Sequence, residues 1–432
     1  MWQLFYVKAK TNSSIRDDPW FLIRVIRVLP LGFSMTSDDQ LALLLRGVTH
    51  VEKRDELKKK LDSGRPLRIK YGIDPTGFDV HLGHTVPLRK LKQFQSLGHL
   101  PVLIIGKATA LVGDPSGRDE SRKSLDAEQI AKNAESYLIQ ISKVVDVTKS
   151  EVRPNDEWFN KWGFGDVLKL LGKTTVQRML ERDDFSKRFK ETQTAIYLHE
   201  CLYPLMQGWD SVEIKADVEL GGTEQLFNLM VGRDLQRDQG QEPQICMTLP
   251  ILRGTDGVKK MGKTAGNYIG LNETPKEQFG KTMRIPDDIM KEWFELLTDF
   301  PTEQITALLG GKPNEAKKAL GAEIVRQYHG DAAAEQVLAE WKKQFEDKGD
   351  PDDIIEVTIA ASEVVDGKVP ANKLLVLAGL VKSGGEARSK ITEGAFNYGP
   401  EKTKPAALND PVAVVEGLVL RLGRKIVKVK LS

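Results

Sequence analysis

The chain has 432 residues, of which 40% are hydrophobic and 29% charged, and its formal net charge is +2. This is the balance of a globular protein with room for about two to four domains. Its two cysteines, Cys201 and Cys246, are too few for a disulfide scaffold and lack metal-like spacing, which favours a reducing, cytoplasmic setting. No apolar run approaches the roughly 18 residues of a membrane-spanning helix, so the sequence predicts no membrane span.

The N-terminal segment does not fit the pattern of a secretory signal. Residues 20–33 are apolar, but Arg24, Arg27 and Pro30 interrupt them. A signal peptide places its positive charge first and follows it with an unbroken apolar core. We therefore expect a disordered extension or a start codon placed too early, with Met35 as the true start. An organellar targeting segment is the alternative.

The first regular elements predict the opening of a parallel nucleotide-binding sheet. Residues 67–73 read as a strand, residues 74–77 break it, and residues 81–97 have helical spacing that Gly98 ends. Residues 101–105 then read as a buried strand. This order of strand, turn, helix and strand is typical of sheets that bind their ligand at the carboxyl ends of the strands.

The later elements predict an insertion and a helical region. Residues 125–215 are largely helical in pattern and are expected to lie between the two halves of the sheet. Residues 219–225 read as a strand end that runs into a helix, and residues 247–252 as another strand. From residue 286 to about 348 the pattern is helical again, and residues 349–353 are a candidate linker.

Charge is concentrated at the C-terminus. Residues 366–432 contain 12 Lys/Arg and 6 Asp/Glu, so this segment carries +6 and the remainder carries −4. A basic tail on a mildly acidic body predicts contact with phosphates. Residues 428–431 read as an alternating strand with its lysines on one face.

Two distant motifs predict the two halves of one ATP site. His81-Leu-Gly-His84 lies at a helix start, and Lys260-Met-Gly-Lys263-Thr264 follows about 180 residues later. Backbone N–H groups at a helix start favour phosphate oxygens, while the loop adds two cations and a hydroxyl. Such donors and cations stabilise negative charge that develops on a leaving phosphate group. Taken alone, the two histidines would fit a surface pair or a metal-binding pair, and the lysine loop would fit a solvated hairpin. Their occurrence together favours an ATP-binding site.

Together the two motifs resemble the HIGH and KMSKS signatures of class I aminoacyl-tRNA synthetases. Three further segments narrow the resemblance to tyrosyl-tRNA synthetases of the bacterial type. These are Tyr-Gly-Ile-Asp-Pro-Thr at residues 71–76, Gly-Asp-Pro-Ser-Gly-Arg at residues 113–118, and Tyr-Pro-Leu-Met-Gln-Gly-Trp-Asp at residues 203–210 followed by Gly-Gly-Thr-Glu-Gln at residues 221–225. The resemblance runs from about residue 40 to the C-terminus.

The resemblance implies roles for individual residues. Catalytic roles fall on Thr76, His81, His84, Arg118, Arg122, Lys260, Lys263 and Thr264. Tyrosine binding falls on Tyr71, Asp74, Thr109, Asp114, Tyr203, Gln207, Asp210 and Gln225, with Asp210 accepting from the phenol hydroxyl and Asp114, Tyr203 and Gln207 holding the ammonium group. ATP binding falls on Asp74, Gly83, His84, Gly222, Glu224 and Lys263. No metal held by protein ligands is expected.

The tail resembles a small RNA-binding module that is shared with a ribosomal small-subunit protein and pseudouridine synthases. Residues 383–391 and 394–399 carry this resemblance. It implies a phosphate track of four cations, Arg388, Lys390, Lys428 and Lys430. Without the motif, a generic basic surface would explain them equally well.

The sequence departs from the family pattern at three places. The loop lacks the middle serine, Glu224 stands where aspartate is usual, and either Lys70 or Tyr71 occupies the place of a substrate-contacting tyrosine. The alternatives are a tryptophanyl-tRNA synthetase, another nucleotidyltransferase, and a synthetase-derived RNA-binding protein without catalysis. Asp210 in its setting argues against the tryptophan enzyme.

The predicted architecture is an α/β, Rossmann-like parallel-sheet catalytic domain with a helical insertion, then an α-helical domain and a small α+β RNA-binding domain. The expected boundaries are an extension at 1–35, the catalytic domain at 36–265 with its insertion at about 125–215, the signature loop and anticodon-side helices at 266–350, and linker plus RNA-binding domain at 351–432. The expected partners are L-tyrosine, ATP with magnesium, the tRNA for tyrosine and a second copy in a homodimer, with no membrane and a cytoplasmic location.

Overall fold

The computed structural model describes residues 35–75, 79–116, 127–346, 354–423 and 425–432. These residues fall into two compact units, one that ends at Tyr328 and one from His329 to Ser432. The N-terminal extension, the candidate linker and three predicted catalytic residues, Thr76, Arg118 and Arg122, lie outside the described residues.

A mixed, mainly parallel sheet organises the first unit. Its strands are β1 (His50–Glu52), β2 (Arg68–Ile73), β3 (Leu100–Ile105), β4 (Glu151–Pro154), β5 (Val218–Gly222) and β6 (Ile245–Leu249). They lie in the order β1-β6-β5-β2-β3-β4, in which β1 is antiparallel to β6 and the other pairs are parallel. Strands buried on both faces read as apolar runs, which is why β3 and β6 are recognisable from sequence. The predicted α/β class with a parallel sheet is confirmed.

Helices cover this sheet and extend beyond it. They are α1 (Ser37–Leu45), α2 (Arg54–Asp62), α3 (Leu82–Ser96), α4 (Lys107–Val112), α5 (Ala127–Ile141), α6 (Asp156–Phe159), α7 (Phe164–Leu171), α8 (Val176–Leu180), α9 (Asp183–Lys187), α10 (Leu202–Glu213), α11 (Leu226–Asp238), α12 (Pro275–Thr282), α13 (Met290–Leu297), α14 (Thr302–Leu309) and α15 (Pro313–His329). In α3 the apolar spacing buries Val86, Leu91 and Phe94, and the helix ends before Gly98, whose φ of 87° favours glycine.

One apolar core joins the sheet to the later helices. It contains Leu103 and Met247 from the strands, Leu91 from α3, and Trp293 and Phe294 from α13, all of which are fully buried. The helices from α12 to α15 therefore pack in the same unit as the sheet. A smaller cluster of buried apolar side chains in the insertion packs against α10 and α11.

The strand order creates the crevice in which the site lies. β2 is flanked by β3 on one side and β5 on the other, so successive connections leave the sheet in opposite directions at this point. Ligands of open α/β sheets bind at such a switch, outside the carboxyl ends of the strands. Asp74 follows the end of β2, and Gly222 ends β5.

The second unit has its own sheet and core. Its helices are α16 (Asp331–Trp341), α17 (Ala371–Leu377) and α18 (Gly384–Thr392), and its strands are β7 (Ile355–Ile359), β8 (Lys368–Pro370), β9 (Phe396–Tyr398), β10 (Pro411–Ala413), β11 (Val419–Leu422) and β12 (Lys425–Leu431). The four-stranded sheet has the order β7-β12-β11-β9, and β8 pairs with β10. In neither unit does a described helix combine the length and the apolar character that crossing a membrane requires.

Candidate functional site

The two signature motifs lie against each other in the structure. The Leu82 amide donates to the carbonyl of Ile269 over 2.9 Å, and the Leu271 amide donates to the carbonyl of Val80 over 3.0 Å. His81 lies between these two bonds, opposite Gly270. The backbone that follows the lysine loop is thus hydrogen-bonded to the start of α3, where the histidines are.

The two histidines form a neutral stacked pair. Their ring centroids are 3.8 Å apart, and the His81 amide donates to His84 Nδ1 over 3.2 Å. Burial lowers the pKa of His81 to about 4, helped by the charges of Lys263 and Lys260. Burial also lowers the pKa of His84 to about 3, with smaller contributions from His81 and Lys260. Since Nδ1 of His84 accepts, its proton lies on Nε2, so at neutral pH this imidazole is a donor without charge.

Two buried polar atoms near the crevice have no hydrogen-bond partner within the described residues. They are Nδ1 of His81 and Oε2 of Glu224. A Cβ on Gly83 would come within 3.0 Å of the His81 ring, and one on Gly222 would collide with the Glu224 carboxylate. Both glycines therefore allow their neighbours to approach closely. Buried polar groups are normally paired, so these two atoms suit a polar ligand such as a nucleotide.

The lysine loop is anchored at its middle and exposed at its charges. Met261 is 2% exposed and belongs to the main core, while the Gly262 amide donates to Asn267 Oδ1 over 2.9 Å. Lys260, Lys263 and Thr264 are exposed. Nζ of Lys263 lies 2.6 Å from Oδ2 of Asp79. The described residues contain no group of three or more His, Cys, Asp or Glu side chains arranged to hold a metal ion.

The depressed histidine pKa predicts acid-sensitive folding that His84→Asn should relieve. The unfolded state takes up the proton below pH 6.5 and the folded state does not until about pH 3, so the free energy of unfolding falls as the pH drops through this window. The expected slope is about 1.4 kcal/mol per pH unit for each such histidine. Urea unfolding between pH 4.5 and 7 should show a shallower slope for His84→Asn than for the wild type. Equal slopes for His84→Asn and the wild type would contradict the prediction.

Asp210 forms the deep end of the predicted tyrosine pocket. It lies on α10, is 3% exposed, and accepts from Trp158 Nε1 over 3.0 Å and from Asn155 Nδ2 over 3.4 Å. Burial raises its pKa to about 7. Asn155 also donates to Thr109 Oγ1 over 3.1 Å, and Thr109 donates to Asp74 over 2.9 Å. A chain of hydrogen bonds therefore runs from Asp210 to the loop after β2.

The predicted ammonium ligands meet at the other end of α10. The Tyr203 hydroxyl donates to Asp74 Oδ2 over 3.0 Å, and Gln225 Nε2 donates to Asp114 Oδ2 over 2.8 Å. Gln207 Oε1 accepts from Asn228 Nδ2 over 2.9 Å. Tyr203 and Asp210 are seven residues apart, about 10 Å along the helix axis. The helix thus presents an acidic acceptor at one end and a polar cluster at the other, a separation comparable to the length of a tyrosine molecule.

Lys70 and Tyr71 lie on opposite faces of β2. The Lys70 side chain is fully buried, and its Nζ lies 2.9 Å from Glu219 Oε1 and donates to the carbonyl of Gln207 and to Ser211 Oγ. Tyr71 packs against the main core, and burial raises the pKa of its hydroxyl. Alternation along the strand accounts for the separation. Lys70 therefore links the two elements: it forms a buried ion pair with Glu219 on β5 and hydrogen bonds with α10.

The four predicted RNA-binding cations lie on two elements of the second unit. Arg388 and Lys390 are on α18, and Lys390 pairs with Glu393 over 2.7 Å. Lys428 and Lys430 are on β12, and the valines that alternate with them belong to the core of this unit. The two lysines of β12 therefore face away from that core, on the side of the sheet opposite to those valines.

Several buried residues of the pocket were not predicted from the sequence. Asn155, Trp158, Glu219 and Asn228 are each hydrogen-bonded to a predicted site residue. Arg182 is hydrogen-bonded to Asn228, and its Nη2 lies 4.0 Å from Oδ1 of the predicted residue Asp114. Asn155 directly follows β4 at the edge where Asp74 follows β2, so its position at a strand end was an available signal. Trp158 and Asn228 lie on helices, Glu219 lies within β5 and Arg182 directly precedes α9, and no local pattern distinguishes these positions.

The fold and the site together define a class I aminoacyl-tRNA synthetase, with the two signatures paired at the carboxyl edge of a parallel sheet. The family model described as tRNA synthetases class I (W and Y) matches residues 62–346. A tyrosine–tRNA ligase of Carboxydothermus hydrogenoformans is 51% identical over 375 residues, covering 84% of this chain and 90% of the relative. One of Aquifex aeolicus is 47% identical over 393 residues, covering 90% and 98%. The chain belongs to the tyrosyl-tRNA synthetase family.

Solved structures support the fold. A C-terminally truncated mitochondrial tyrosyl-tRNA synthetase of Aspergillus nidulans superposes with a TM-score of 0.61 at 24% identity, covering 73% of this chain and 95% of that one. The tyrosyl-tRNA synthetase complexed with L-tyrosine from Archaeoglobus fulgidus has a TM-score of 0.58 at 22% identity, covering 70% and 100%. At these identities the similarity concerns the fold.

Proposed function

We propose that this chain is a tyrosine–tRNA ligase, which activates L-tyrosine with ATP and transfers the tyrosyl group to the terminal adenosine of its tRNA. The observation that carries the proposal is a buried acceptor, Asp210, in the same crevice as the paired signature motifs. A buried carboxylate held by two donors suits a substrate hydroxyl, and the signature motifs suit ATP. Relatives named for this activity cover most of the chain.

Two group transfers make up the reaction. First, an oxygen of the tyrosine carboxylate attacks the α-phosphorus of ATP, the bond to the bridging oxygen breaks, and pyrophosphate leaves with the electron pair. Next, a ribose hydroxyl of the terminal adenosine attacks the carbonyl carbon of tyrosyl-adenylate, AMP leaves, and the hydroxyl proton is released. Neither step needs a nucleophile from the protein.

The side chains contribute position and charge. His81 and His84 are neutral, so they serve as hydrogen-bond donors to ATP and not as cations. Lys260 and Lys263 supply the positive charge that moves with the loop towards the leaving pyrophosphate. Glu224 offers its unpaired oxygen to a ribose hydroxyl. We propose that Thr76, Arg118 and Arg122 join them around the phosphates.

Magnesium and location follow from the substrates. ATP is used by synthetases as a magnesium complex, and we propose that the ion is held mainly by the phosphates of ATP, as is usual for magnesium at nucleotide sites. We place the enzyme in the cytoplasm, where ATP and tRNA are available for translation.

We propose that the enzyme is a homodimer with the insertion at its interface. Phe164 is 77% exposed and Leu168 52%, and together with Leu171 they form one face of α7 at i, i+4 and i+7 spacing. An exposed apolar face of this kind marks an interaction surface, and a second copy of this chain is the partner that the family resemblance implies.

Introducing two charges on this face should give a monomer. Phe164→Asp combined with Leu168→Asp places carboxylates where apolar side chains would be buried, at a cost of several kcal/mol for the association. Sedimentation velocity should therefore shift from a dimer to a monomer of 48.3 kDa. Val415→Asp, a change at a 58% exposed position of the second unit, serves as the control and should leave a dimer. A dimer that survives the double change would exclude α7 from the interface.

We propose that residues 351–432 bind tRNA. We also propose the functional division into 36–265, 266–350 and 351–432, although the helices up to α15 share the core of the sheet. The second unit has a separate apolar core of its own, which supports an independent role. Its exposed cations, Arg388 and Lys430 among them, suit phosphates.

Removing the tail should separate the two half-reactions. A cut at residue 366 would leave β7 without its partner β12, so the chain is better ended at residue 346. Tyrosine-dependent ATP–pyrophosphate exchange should stay within about twofold of the full chain, while tRNA charging should fall at least about tenfold as phosphate contacts are lost. Equal loss of both activities would show that the tail is structural.

The test of the proposal is ATP–pyrophosphate exchange with each of the twenty amino acids. Exchange with tyrosine alone is the expected result. Exchange with tryptophan would keep the ATP site and overturn the assignment of the pocket. Absence of exchange with every amino acid, in protein whose folding is verified by cooperative unfolding, would overturn the catalytic proposal in favour of an RNA-binding role.

A further inference from the structure

Arg182 belongs to the insertion, yet its guanidinium lies at the ammonium end of the tyrosine pocket. It is 3% exposed and precedes α9, where Phe185 lies under its guanidinium carbon at 5.1 Å from the ring centroid. Its Nε donates to Asp184 over 2.7 Å, and its Nη2 donates to Ser116 Oγ over the same distance. Its remaining terminal nitrogen, Nη1, donates to Asn228 Oδ1 over 2.8 Å. Nη2 also lies 4.0 Å from Asp114 Oδ1, so the guanidinium is held on all sides at the wall of the pocket.

The contact with Asn228 decides the orientation of its amide. A guanidinium has donors and no acceptor, so the atom of Asn228 that faces it must be the oxygen. The NH2 group then faces the pocket side, where it donates to Gln207 Oε1 over 2.9 Å and to Gln225 Oε1 over 3.0 Å. Both glutamines must therefore turn their oxygens towards Asn228.

The orientation passes on to two carboxylates. With its oxygen facing Asn228, Gln207 turns its NH2 to Glu219 Oε1 at 3.1 Å. Gln225 likewise turns its NH2 to Asp114 Oδ2 at 2.8 Å. Each acceptor in this relay meets a donor, and none of the three amides can be flipped alone without placing two like groups against each other.

We propose that Arg182 is a positioning residue for the ammonium group of the substrate, acting through Asn228 on the amides of Gln207 and Gln225. A substrate ammonium brings three donors and no acceptor, so the pocket must present oxygens to it. The relay keeps Gln207 Oε1 and the Asp114 carboxylate in that role. This inference rests on the proposed function, because it concerns the amino-acid pocket of that same site.

Arg182→Met removes every donor and keeps an unbranched apolar stem over Phe185. Binding should be measured by ligand-observed NMR titration with L-tyrosine, with tyramine, which keeps the ammonium group, and with 3-(4-hydroxyphenyl)propionate, which lacks it. We expect the two amines to bind about tenfold more weakly to the variant, as for loss of a bond that orients a charged partner. The acid without an amine should bind the variant and the wild type within about twofold of each other.

Kinetics give a second readout on the same protein. In ATP–pyrophosphate exchange the KM for tyrosine should rise about tenfold, while the KM for ATP and kcat stay near the wild-type values. Arg182→Lys keeps one charged donor and should recover part of the loss. Asn228→Ala interrupts the relay at its centre without touching the insertion, so it should reproduce the pattern even where Arg182→Met is poorly folded.

Arg188→Met is the matched control. Arg188 is also buried in the insertion, also lies over Phe185 and pairs with Glu200 over 2.8 Å, but it makes no contact with the relay. Its replacement should lower stability and leave the ratio of tyrosine to deaminated-tyrosine affinity unchanged. Equal weakening of all three ligands by Arg182→Met, or tighter binding of tyrosine, would overturn the proposal. A wild-type protein that binds no tyrosine would instead overturn the proposed function.

Discussion

Once Asp210 is replaced with alanine, phenylalanine is expected to be used nearly as well as tyrosine, with a kcat/KM within about tenfold. In the wild type the carboxylate is 3% exposed and is held by Trp158 and Asn155. A bound phenylalanine would leave this charged group buried with one acceptor position unpaired, which is costly, whereas the phenol of tyrosine fills it. The alanine variant neither forms this hydrogen bond with tyrosine nor buries an unpaired carboxylate when phenylalanine binds.

The size of the effect comes from the family. Tyrosyl-tRNA synthetases are themselves the measured case of this type of selectivity, with discrimination of about 10⁵ against phenylalanine. We expect a value of the same order for this chain. The ratio of kcat/KM for the two amino acids in pyrophosphate exchange is the quantity to measure. In Asp210→Ala it should fall to about 10 or less, the range left to a pocket that reads shape alone.

The raised pKa of Asp210 adds a pH dependence to the wild-type selectivity. With a pKa of about 7, the carboxyl is protonated at pH 6 and ionised at pH 8 in the free enzyme. Only the ionised form is purely an acceptor, so the ratio of tyrosine to phenylalanine kcat/KM should rise across this interval. Asp210→Ala should show no such rise.

Glu213→Ala provides the control for Asp210. Glu213 lies three residues further along α10 and accepts from Trp209 Nε1 over 2.8 Å, outside the pocket. Its loss changes the charge of the same helix by the same amount, so selectivity should be unchanged. Selectivity that persists in Asp210→Ala, or that disappears in Glu213→Ala, would contradict the assignment of Asp210 as the phenol acceptor.

Local patterns were sufficient to predict the frame of the site. The strand β2, the helix α3 and the strand β3 follow one another with short connections, and each has an apolar pattern of the right period. The order of these elements then places the histidines at the carboxyl edge of the sheet. The spacing of Tyr203, Gln207 and Asp210 likewise predicts one helical face, because residues three and four apart on a helix are neighbours.

The partners of these residues could not be predicted in the same way. Trp158 on α6 and Arg182 just before α9 reach the pocket from the insertion, so their contacts depend on how that insertion folds back over the sheet. The sequence left Lys70 and Tyr71 as alternatives because the faces of a strand are assigned by packing partners that are distant in the sequence. The distant Glu219 explains how Lys70 is accommodated, since a fully buried lysine requires a carboxylate partner.

Lys263→Met should lower kcat for pyrophosphate exchange by about 10² to 10³, as does removal of other positioned groups that stabilise transition-state charge. Negative charge moves onto pyrophosphate during the attack, and Lys263 is one of two cations on the loop that lies beside the histidines. In the structure its ammonium pairs with Asp79, 2.6 Å away, so pyrophosphate must replace Asp79 as the partner of this charge. The Kd of tyrosine should be unchanged, because Lys263 makes none of the contacts that form the tyrosine pocket.

Lys259→Met distinguishes position from charge in this loop. Lys259 is exposed, lies in the same segment and carries the same charge, but it is four residues from Lys263 and contributes only backbone contacts to the loop. Its replacement should leave kcat within about twofold of the wild type, as is usual for exposed substitutions away from a site. An equal loss of kcat in both variants would mean that the net charge of the loop attracts ATP and that no lysine is positioned. If Lys263 is positioned as proposed, Asp79→Asn should retain kcat, because it removes only the counter-charge that the pyrophosphate displaces.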